Sequence, residues 1–174
     1  QVGDRNADVH AALLTVDVTE SVVDEAINKR CDLIISHHPL LFHGLKHLTG
    51  ETPQERCVEK AIRHNIAIYS SHTAMDAYIH GVSGKIADKL GINHYQILCP
   101  TTEQNIGLGV IGTLNNPMNS DAFIRFVQDV FDCSLRYIEP PAKLITTVAI
   151  CGGAGAEFIK QAINQKADIF ITAD

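Results

Sequence analysis

The chain has no long apolar run and no segment rich in lysine or arginine, and its 174 residues include only twelve glycines and six prolines. A membrane-spanning helix needs about 20 mostly apolar residues, so the sequence predicts none. The low glycine and proline content excludes collagen-like and low-complexity chains, and 45% apolar residues exclude a disordered one. Fourteen basic against twenty acidic residues give a net charge of −6, which argues against a nucleic-acid partner bound through its phosphates.

The five cysteines form no C-x-x-C pair, and their odd number does not suit a complete set of disulfides. This usage is typical of reduced thiols, so the sequence predicts a cytoplasmic protein. Cys31, Cys99 and Cys151 adjoin apolar segments and are predicted to be small core residues. Histidine is plentiful by contrast, with nine residues.

Short apolar runs alternate with amphipathic windows along the whole chain. The length fits one domain or two small lobes that share a core. The alternation predicts an α/β fold with helices on both faces of its sheets. Predicted strands lie at 11–18, 32–36, 66–70, 95–98, 106–113, 144–151 and 168–172, and predicted helices at 19–29, 53–64, 82–90, 120–131 and 155–164.

Twelve residues near the start of the chain are repeated near its end. Residues 25–36 (EAINKRCDLIIS) align without a gap on residues 161–172 (QAINQKADIFIT). Any two helix–strand units share some features, but a common Ala-Ile-Asn with an aspartate at the same offset favours an internal duplication. The sequence therefore predicts a first lobe at 1–98, a polar joint at 99–105 and a second lobe at 106–174.

The strongest local signal is the run SHHP at 36–39, which follows directly on a predicted strand. In open α/β sheets, ligands bind beyond the carboxyl ends of the strands. Adjacent residues leaving a strand point to opposite sides, so His37 and His38 are expected to serve two neighbouring metal ions, one each. The alternative is a pair of polar loop histidines that bond to backbone groups.

A second polar segment, SHTAMD at 71–76, follows another predicted strand and is predicted to be a loop. If the two strands are parallel neighbours, this loop lies on the same rim as His37 and His38. Imidazole and carboxylate ligands suit Zn, Mn, Fe or Co rather than Ca or Mg. Asp76 is predicted to bind a metal ion directly, and His72 either binds one or orients the carboxylate. The alternative is that His72 and Asp76 are a turn-capping pair.

Weaker signals remain elsewhere. His43, Lys46 and His47 are expected to be solvated, with contact to an anionic substrate as the alternative. The segment CGGAG at 151–155 has glycines that can bring N–H groups to a phosphate, but it matches no complete phosphate-binding motif, and a tight turn is favoured. The other histidines are expected at the surface: His10, His64, His80 and His94.

Three stretches carry a family resemblance: DLIISHHPLLFHGLK at 32–46, IAIYSSHTAMDA at 66–77, and the glycine-rich segment with ADIFITAD at 152–174. They resemble the NIF-three-like family, whose bacterial members carry the name GTP cyclohydrolase 1 type 2 homolog. The resemblance extends over nearly the whole chain, and the SHHP element followed by SHTxxD is specific to that family.

The resemblance implies two intertwined α/β lobes with mixed sheets, a homohexameric ring, and a two-metal site that faces its cavity. The implied metal ligands are His37, His38 and Asp76. Family members add a histidine and a glutamate from a later Gly-His-x-x-x-Glu-like segment, and some carry an inserted domain between the lobes. The second lobe is therefore expected to be incomplete at its C-terminal end, and residues 99–105 are one place for such an insertion.

Two functional hypotheses follow. The first is a hydrolase in which two divalent transition-metal ions activate water for attack on a nucleotide or a related cyclic amide or phosphoester. His72 is then the candidate catalytic residue, as a proton shuttle near neutral pH. The second is a non-catalytic, metal-stabilised ring that acts as a scaffold or regulatory partner. Neither hypothesis involves a membrane.

Overall fold

The computed structural model describes residues 1–102, 105–138 and 144–173. The chain divides into two compact units, Gln1–Thr73 and Ala74–Asp174. The first unit contains β1 (Ala12–Thr15), α1 (Glu20–Asn28), β2 (Leu33–Ser36), α2 (Pro53–Arg63) and β3 (Ala67–Ser70). The short helix α3 (His72–Asp76) spans the division. The second unit contains α4 (Val82–Lys89), β4 (Ile92–Pro100), β5 (Gly107–Asn119), α5 (Ser120–Phe131), β6 (Leu144–Cys151), a 3₁₀ turn (Ala156–Phe158), α6 (Ile159–Asn164) and β7 (Ile169–Thr172).

The first unit is built on a parallel sheet with the order β1-β2-β3. Its crossovers run through α1 and α2, which begin where the hydroxyls of Thr19 and Thr52 accept backbone N–H groups of the first helical turn. Two right-handed crossovers in a sheet of sequential order place both helices on one face. The core on that face contains Val23, Ala26, Ile34, Cys57, Ala61 and Ile68.

Helices were predicted to cover both faces of the sheets, but in the first unit they cover only one face of the sheet that the structure describes. Leu14, Ile35 and Tyr69 lie side by side on the opposite face in the register of the three strands. Leu14 is 78% exposed and Tyr69 is 52% exposed. The reason is the strand order, because a β-α-β-α-β run in sequence order sends every crossover to the same side.

The second unit contains a mixed sheet with the order β4-β5-β6-β7. The β4–β5 and β5–β6 pairs are antiparallel, and the β6–β7 pair is parallel. Successive residues of β6 reach different cores: Val148 and Ile150 pack with residues of α4 and α5, whereas Ala149 packs with Ala162 of α6. Helices therefore flank both faces of this sheet, and the predicted α/β class with mixed sheets is confirmed.

The repeated sequence folds alike in both units. After the helix of each copy, the chain passes through one left-handed residue, Arg30 (φ 55°) in the first and Lys166 (φ 59°) in the second. The aspartate that follows, Asp32 or Asp168, accepts two backbone N–H groups from the chain that enters or forms the neighbouring parallel strand. The two copies thus share hydrogen bonds as well as residues, which supports the predicted duplication.

Most element boundaries agree with the prediction within a few residues, and the larger differences are in two strands of the second unit. The strand β5 extends to Asn119 rather than to residue 113. The strand predicted at 95–98 is the longer β4, which pairs with β5 of the second sheet. Residues 92–98 therefore belong with the second unit, and the compact units divide after Thr73 rather than at the predicted joint. Among the described residues, none of the helices is long and apolar enough to span a membrane.

The long segment between β2 and α2 is fastened to α2 by the carboxylate of Glu55, which is only 2% exposed. It accepts the N–H groups of Thr49 and Glu51 at 2.9 and 3.3 Å and the hydroxyl of Thr52 at 3.0 Å. These bonds, with the Thr49 N–H foremost, lower the pKa of Glu55 to about 2 from the ordinary 4.5, although desolvation acts in the opposite direction.

We predict that Glu55→Gln lowers the stability of the native state at neutral pH. We also expect the stability of this variant to fall less steeply than that of wild type as the pH is lowered. A carboxyl group whose pKa falls on folding stabilises the native state above about pH 4.5, and this contribution is lost as the pH falls towards 2. Thermal unfolding across this range measures the effect. Glu59→Gln is the control, because Glu59 lies on the same helix and forms a surface ion pair with Arg63. Acid profiles of Glu55→Gln and wild type that run parallel would contradict the prediction.

Candidate metal site

Backbone hydrogen bonds of the first sheet continue past the ends of its strands. The N–H groups of His37 and His38 bond to the carbonyls of Thr15 and Val16 at 3.2 and 2.9 Å. The N–H of His72 bonds to the carbonyl of His37 at 2.9 Å. These bonds hold the segments after β2 and β3 against the ends of the neighbouring strands. All three histidine backbones lie at the carboxyl edge of the sheet, where ligand sites of α/β sheets form.

The rings of His37, His38 and His72, called the imidazole cluster from here on, lie together. Their centroids are 4.9 Å apart for His37 and His38, 5.7 Å for His37 and His72, and 6.1 Å for His38 and His72. The expectation that His37 and His38 point to opposite sides is wrong. The strand ends at Ser36, so the alternation of side chains along β2 does not extend to them.

The hydroxyl of Ser36 braces the backbone beneath the imidazole cluster. Ser36 is 1% exposed, and its hydroxyl donates to the carbonyl of His38 at 2.8 Å. The same oxygen lies 2.8 Å from the hydroxyl of Ser70, at the end of β3. One buried side chain therefore links the segment that carries His38 to the neighbouring strand.

A carboxylate absent from the predicted site contacts the imidazole cluster. Asp17 Oδ1 lies 2.8 Å from Nδ1 of His38. An ionised carboxylate only accepts hydrogen bonds, so this contact requires the proton of a neutral His38 ring on Nδ1. Asp17 follows β1 at the edge where His37 follows β2. A polar residue just after a neighbouring parallel strand was the signal that could have identified it.

The SHTxxD segment is a single helical turn rather than the predicted loop. The helix α3 begins at His72, whose φ of 30° lies in the left-handed region, and ends at Asp76. A non-glycine residue in a sparsely populated region costs on the order of 1–3 kcal/mol, so the surrounding structure must hold His72 there. Asp76 is half-buried and belongs to the second compact unit. Its role as a ligand stays a prediction.

The donor chemistry of the imidazole cluster fits a divalent transition metal. Imidazole suits Zn and Fe, and a carboxylate bonded to the other nitrogen of a ligating histidine commonly fixes the orientation of the ring. Within the part of the chain that the structure describes, no group of three or more His, Cys, Asp or Glu side chains is arranged to hold a metal ion. Metal binding by the imidazole cluster therefore stays a prediction.

The loop after SHHP places an aromatic ring beside the imidazole cluster. Phe42 is 68% exposed and meets the ring of His72 edge-on, with 5.8 Å between centroids. His43 and Lys46 are exposed, as expected, and Nδ1 of His47 lies 3.6 Å from Oε1 of Glu55. The surface position expected for four other histidines is confirmed: His10, His64, His80 and His94.

The glycine-rich segment at 151–155 forms a tight turn. The N–H of Gly152 bonds to the hydroxyl of Ser83 at 3.1 Å, and that of Gly155 bonds to the hydroxyl of Thr172 at 2.9 Å. Gly153 has a φ of 76°, which favours glycine. Because two N–H groups of the segment already have protein acceptors, its geometry favours a turn over a phosphate site.

The cysteines are free thiols, as predicted. Cys31 and Cys151 are buried, whereas Cys99 is half-buried and Cys133 is exposed. The core position predicted for Cys31 and Cys151 is confirmed, and that of Cys99 is confirmed in part.

The family model described as Duf34/NIF3 (NGG1p interacting factor 3) matches residues 1–174. The chain belongs to the Duf34/NIF3 family. The resemblance carried by the SHHP and SHTxxD elements is thereby confirmed over the whole chain.

Curated relatives share this affiliation. The chain is 34% identical to the GTP cyclohydrolase 1 type 2 homolog of Clostridium acetobutylicum over 99% of its own length and 66% of that relative. It is 32% identical to the protein NIF3 homolog of Schizosaccharomyces pombe, over 94% of the chain and 62% of the relative. The homolog of Bacillus subtilis is 43% identical over 58% of the chain and 27% of that protein. The chain thus spans less than two thirds of the length of each of these relatives.

Solved structures have the same fold. Staphylococcus aureus protein SA1388 superposes with a TM-score of 0.89 at 27% identity, over 100% of the chain and 71% of that protein. A Bacillus cereus protein related to NIF3 also gives 0.89, at 24% identity over 100% and 75%. Reduced HcgD from Methanocaldococcus jannaschii gives 0.74 at 22% identity, over 100% and 68%. The last two likenesses concern the fold alone.

We predict that Ser36→Ala destabilises this Duf34/NIF3 chain by roughly 1–3 kcal/mol, because it removes the buried hydroxyl that donates to the carbonyl of His38 and contacts the hydroxyl of Ser70. Urea unfolding followed by circular dichroism measures the loss. Ser134→Ala makes the same chemical change at an exposed coil position and is the control. A free energy of unfolding for Ser36→Ala equal to that of the control would show that the brace contributes nothing.

Proposed function

We propose that this protein is a metal-dependent hydrolase whose metal ligands include His37 and His38. The observation that carries the proposal is the imidazole cluster at the carboxyl edge of a parallel sheet, with His38 bonded to Asp17. Imidazole nitrogens at a sheet edge are donors that Zn, Fe, Mn or Co would use. Asp76 joins the proposed ligands on the ground of the family resemblance alone.

The proposed site holds two divalent metal ions, as the family resemblance implies. A bound metal ion supplies Lewis acidity, which activates water and polarises the bond to be broken. The protein's own residues then have separate tasks. His37 and His38 would hold metal from a backbone fixed by hydrogen bonds at the sheet edge, and His72 would serve as the proton shuttle. The exposed ring of Phe42 offers an apolar surface to a substrate beside His72.

The proposed substrate is a purine nucleotide opened at its imidazole ring, which rests on the names of the relatives, GTP cyclohydrolase 1 type 2 homolog. A related cyclic amide or phosphoester is the wider class, since a shared fold does not establish a shared reaction. A homohexameric ring in the cytoplasm is part of the same proposal. It rests on the resemblance and on the free thiols.

A second candidate is a metal-stabilised scaffold without catalytic activity. The family description, NGG1p interacting factor 3, names a partner protein rather than a reaction. Under this candidate, loss of His37 or Asp76 disturbs metal content or assembly, and the protein has no turnover to lose.

We predict that the purified protein binds divalent transition metal and that His38→Ala removes at least half of it, because one donor of the imidazole cluster is lost. Metal content by mass spectrometry is measured after reconstitution with Zn, Mn, Fe or Co. GTP turnover is then followed by chromatography of formate and ring-opened product. His64→Ala is the control, because His64 is exposed and lies outside the cluster.

Each outcome separates the candidates. Wild-type turnover that His38→Ala abolishes and His64→Ala preserves supports the hydrolase. Metal loss in His38→Ala without turnover in any variant supports the scaffold. Equal metal content in wild type and His38→Ala would refute both.

A further inference from the structure

We propose that Asp17 is a positioning residue that fixes the ring of His38 so that Nε2 carries the lone pair offered to a metal ion. The inference rests on the proposed function only for the identity of the ligand. The observation behind it is a contact within the first unit, where Asp17 Oδ1 lies 2.8 Å from Nδ1 of His38.

His38 is anchored twice by consecutive residues that follow β1. Its N–H bonds to the carbonyl of Val16 at 2.9 Å, and its ring bonds to the carboxylate of Asp17. The backbone of Asp17 is itself held, because its carbonyl accepts the hydroxyl of Thr15 at 2.9 Å. A ring bonded at one nitrogen to a charged acceptor, on a backbone fixed by the sheet, has one preferred tautomer and one orientation.

A purely structural role does not account for Asp17. Its side chain is 66% exposed and that of His38 is 46% exposed, so their contact contributes little to folding. Asp17 also lies close to the start of α1, but the helix is capped by Thr19, whose hydroxyl accepts the N–H of Val22. In this position the carboxylate of Asp17 orients the ring of His38.

The first test reads the tautomer of His38 in the metal-free protein, labelled with ¹⁵N-histidine, at about pH 8.5 where free imidazole is neutral. The His38 signals are identified by their loss in His38→Ala. Wild type is expected to carry the proton on Nδ1. Asp17→Ala is expected to populate both tautomers. Asp17→Asn is expected to lose the Nδ1–H preference as well, because its amide group can accept from Nδ1–H or donate to a bare Nδ1.

The second test measures the Kd for Zn²⁺ by titration calorimetry. Asp17→Ala is expected to weaken binding by about 10–100-fold, the usual effect of losing a carboxylate that orients a ligating histidine. Asp17→Asn is expected to weaken binding as well, because its amide group does not select the Nδ1–H tautomer. Asp24→Ala is the control, because it removes the same charge from a surface pair with Lys60 and should leave the Kd within about twofold.

Two results overturn the inference: a wild-type His38 proton on Nε2, or a Zn²⁺ Kd that Asp17→Ala leaves unchanged. A wild-type protein that binds no Zn²⁺, Mn²⁺, Fe²⁺ or Co²⁺ overturns the proposed function instead. In that case the tautomer alone decides whether Asp17 positions His38.

Discussion

The parallel register of the first sheet is the constraint on which the candidate site depends. Its hydrogen bonds continue beyond β1, β2 and β3 and fix the backbones of His37, His38 and His72 at one edge. Residues far apart in sequence meet there because equivalent positions of parallel strands end together. The buried hydroxyl of Ser36 and the carboxylate of Asp17 add side-chain bonds to this frame. The position of the imidazole cluster is thus a consequence of the strand register.

The duplication shows which part of this arrangement is scaffold. In both copies a residue in the left-handed region follows the helix. An aspartate, Asp32 or Asp168, then accepts backbone N–H groups from the neighbouring parallel strand or the residues that lead into it. Only the first copy continues into two histidines, whereas the second reads Ala173-Asp174. The two copies therefore share the helix–strand unit and differ in the residues just beyond the strand.

Much of the fold could be predicted from periodicity, and the reasons for the misses are physical. The helix at 120–131 and the strand at 144–151 were predicted with their observed ends because caps and apolar runs coincide there. The prediction for β4 was too short. Polar residues such as Asn93 and Gln96 interrupt the apolar run by which the strand was recognised, although the strand pairs with β5. Both histidine segments were predicted as site segments, but the rings of His37 and His38 were assigned to opposite sides because strand alternation was extended past Ser36. Asp17 escaped notice because the first strand was predicted to run to residue 18, whereas β1 ends at Thr15 and Asp17 follows it.

The central claim is that the imidazole cluster binds a transition metal through His38. Anomalous diffraction at the zinc absorption edge, from crystals of the zinc-loaded protein, tests it most directly. The account predicts a peak about 2.0–2.1 Å from Nε2 of His38, with Asp17 still bonded to Nδ1. Anomalous peaks found only away from His37, His38 and His72 would contradict it.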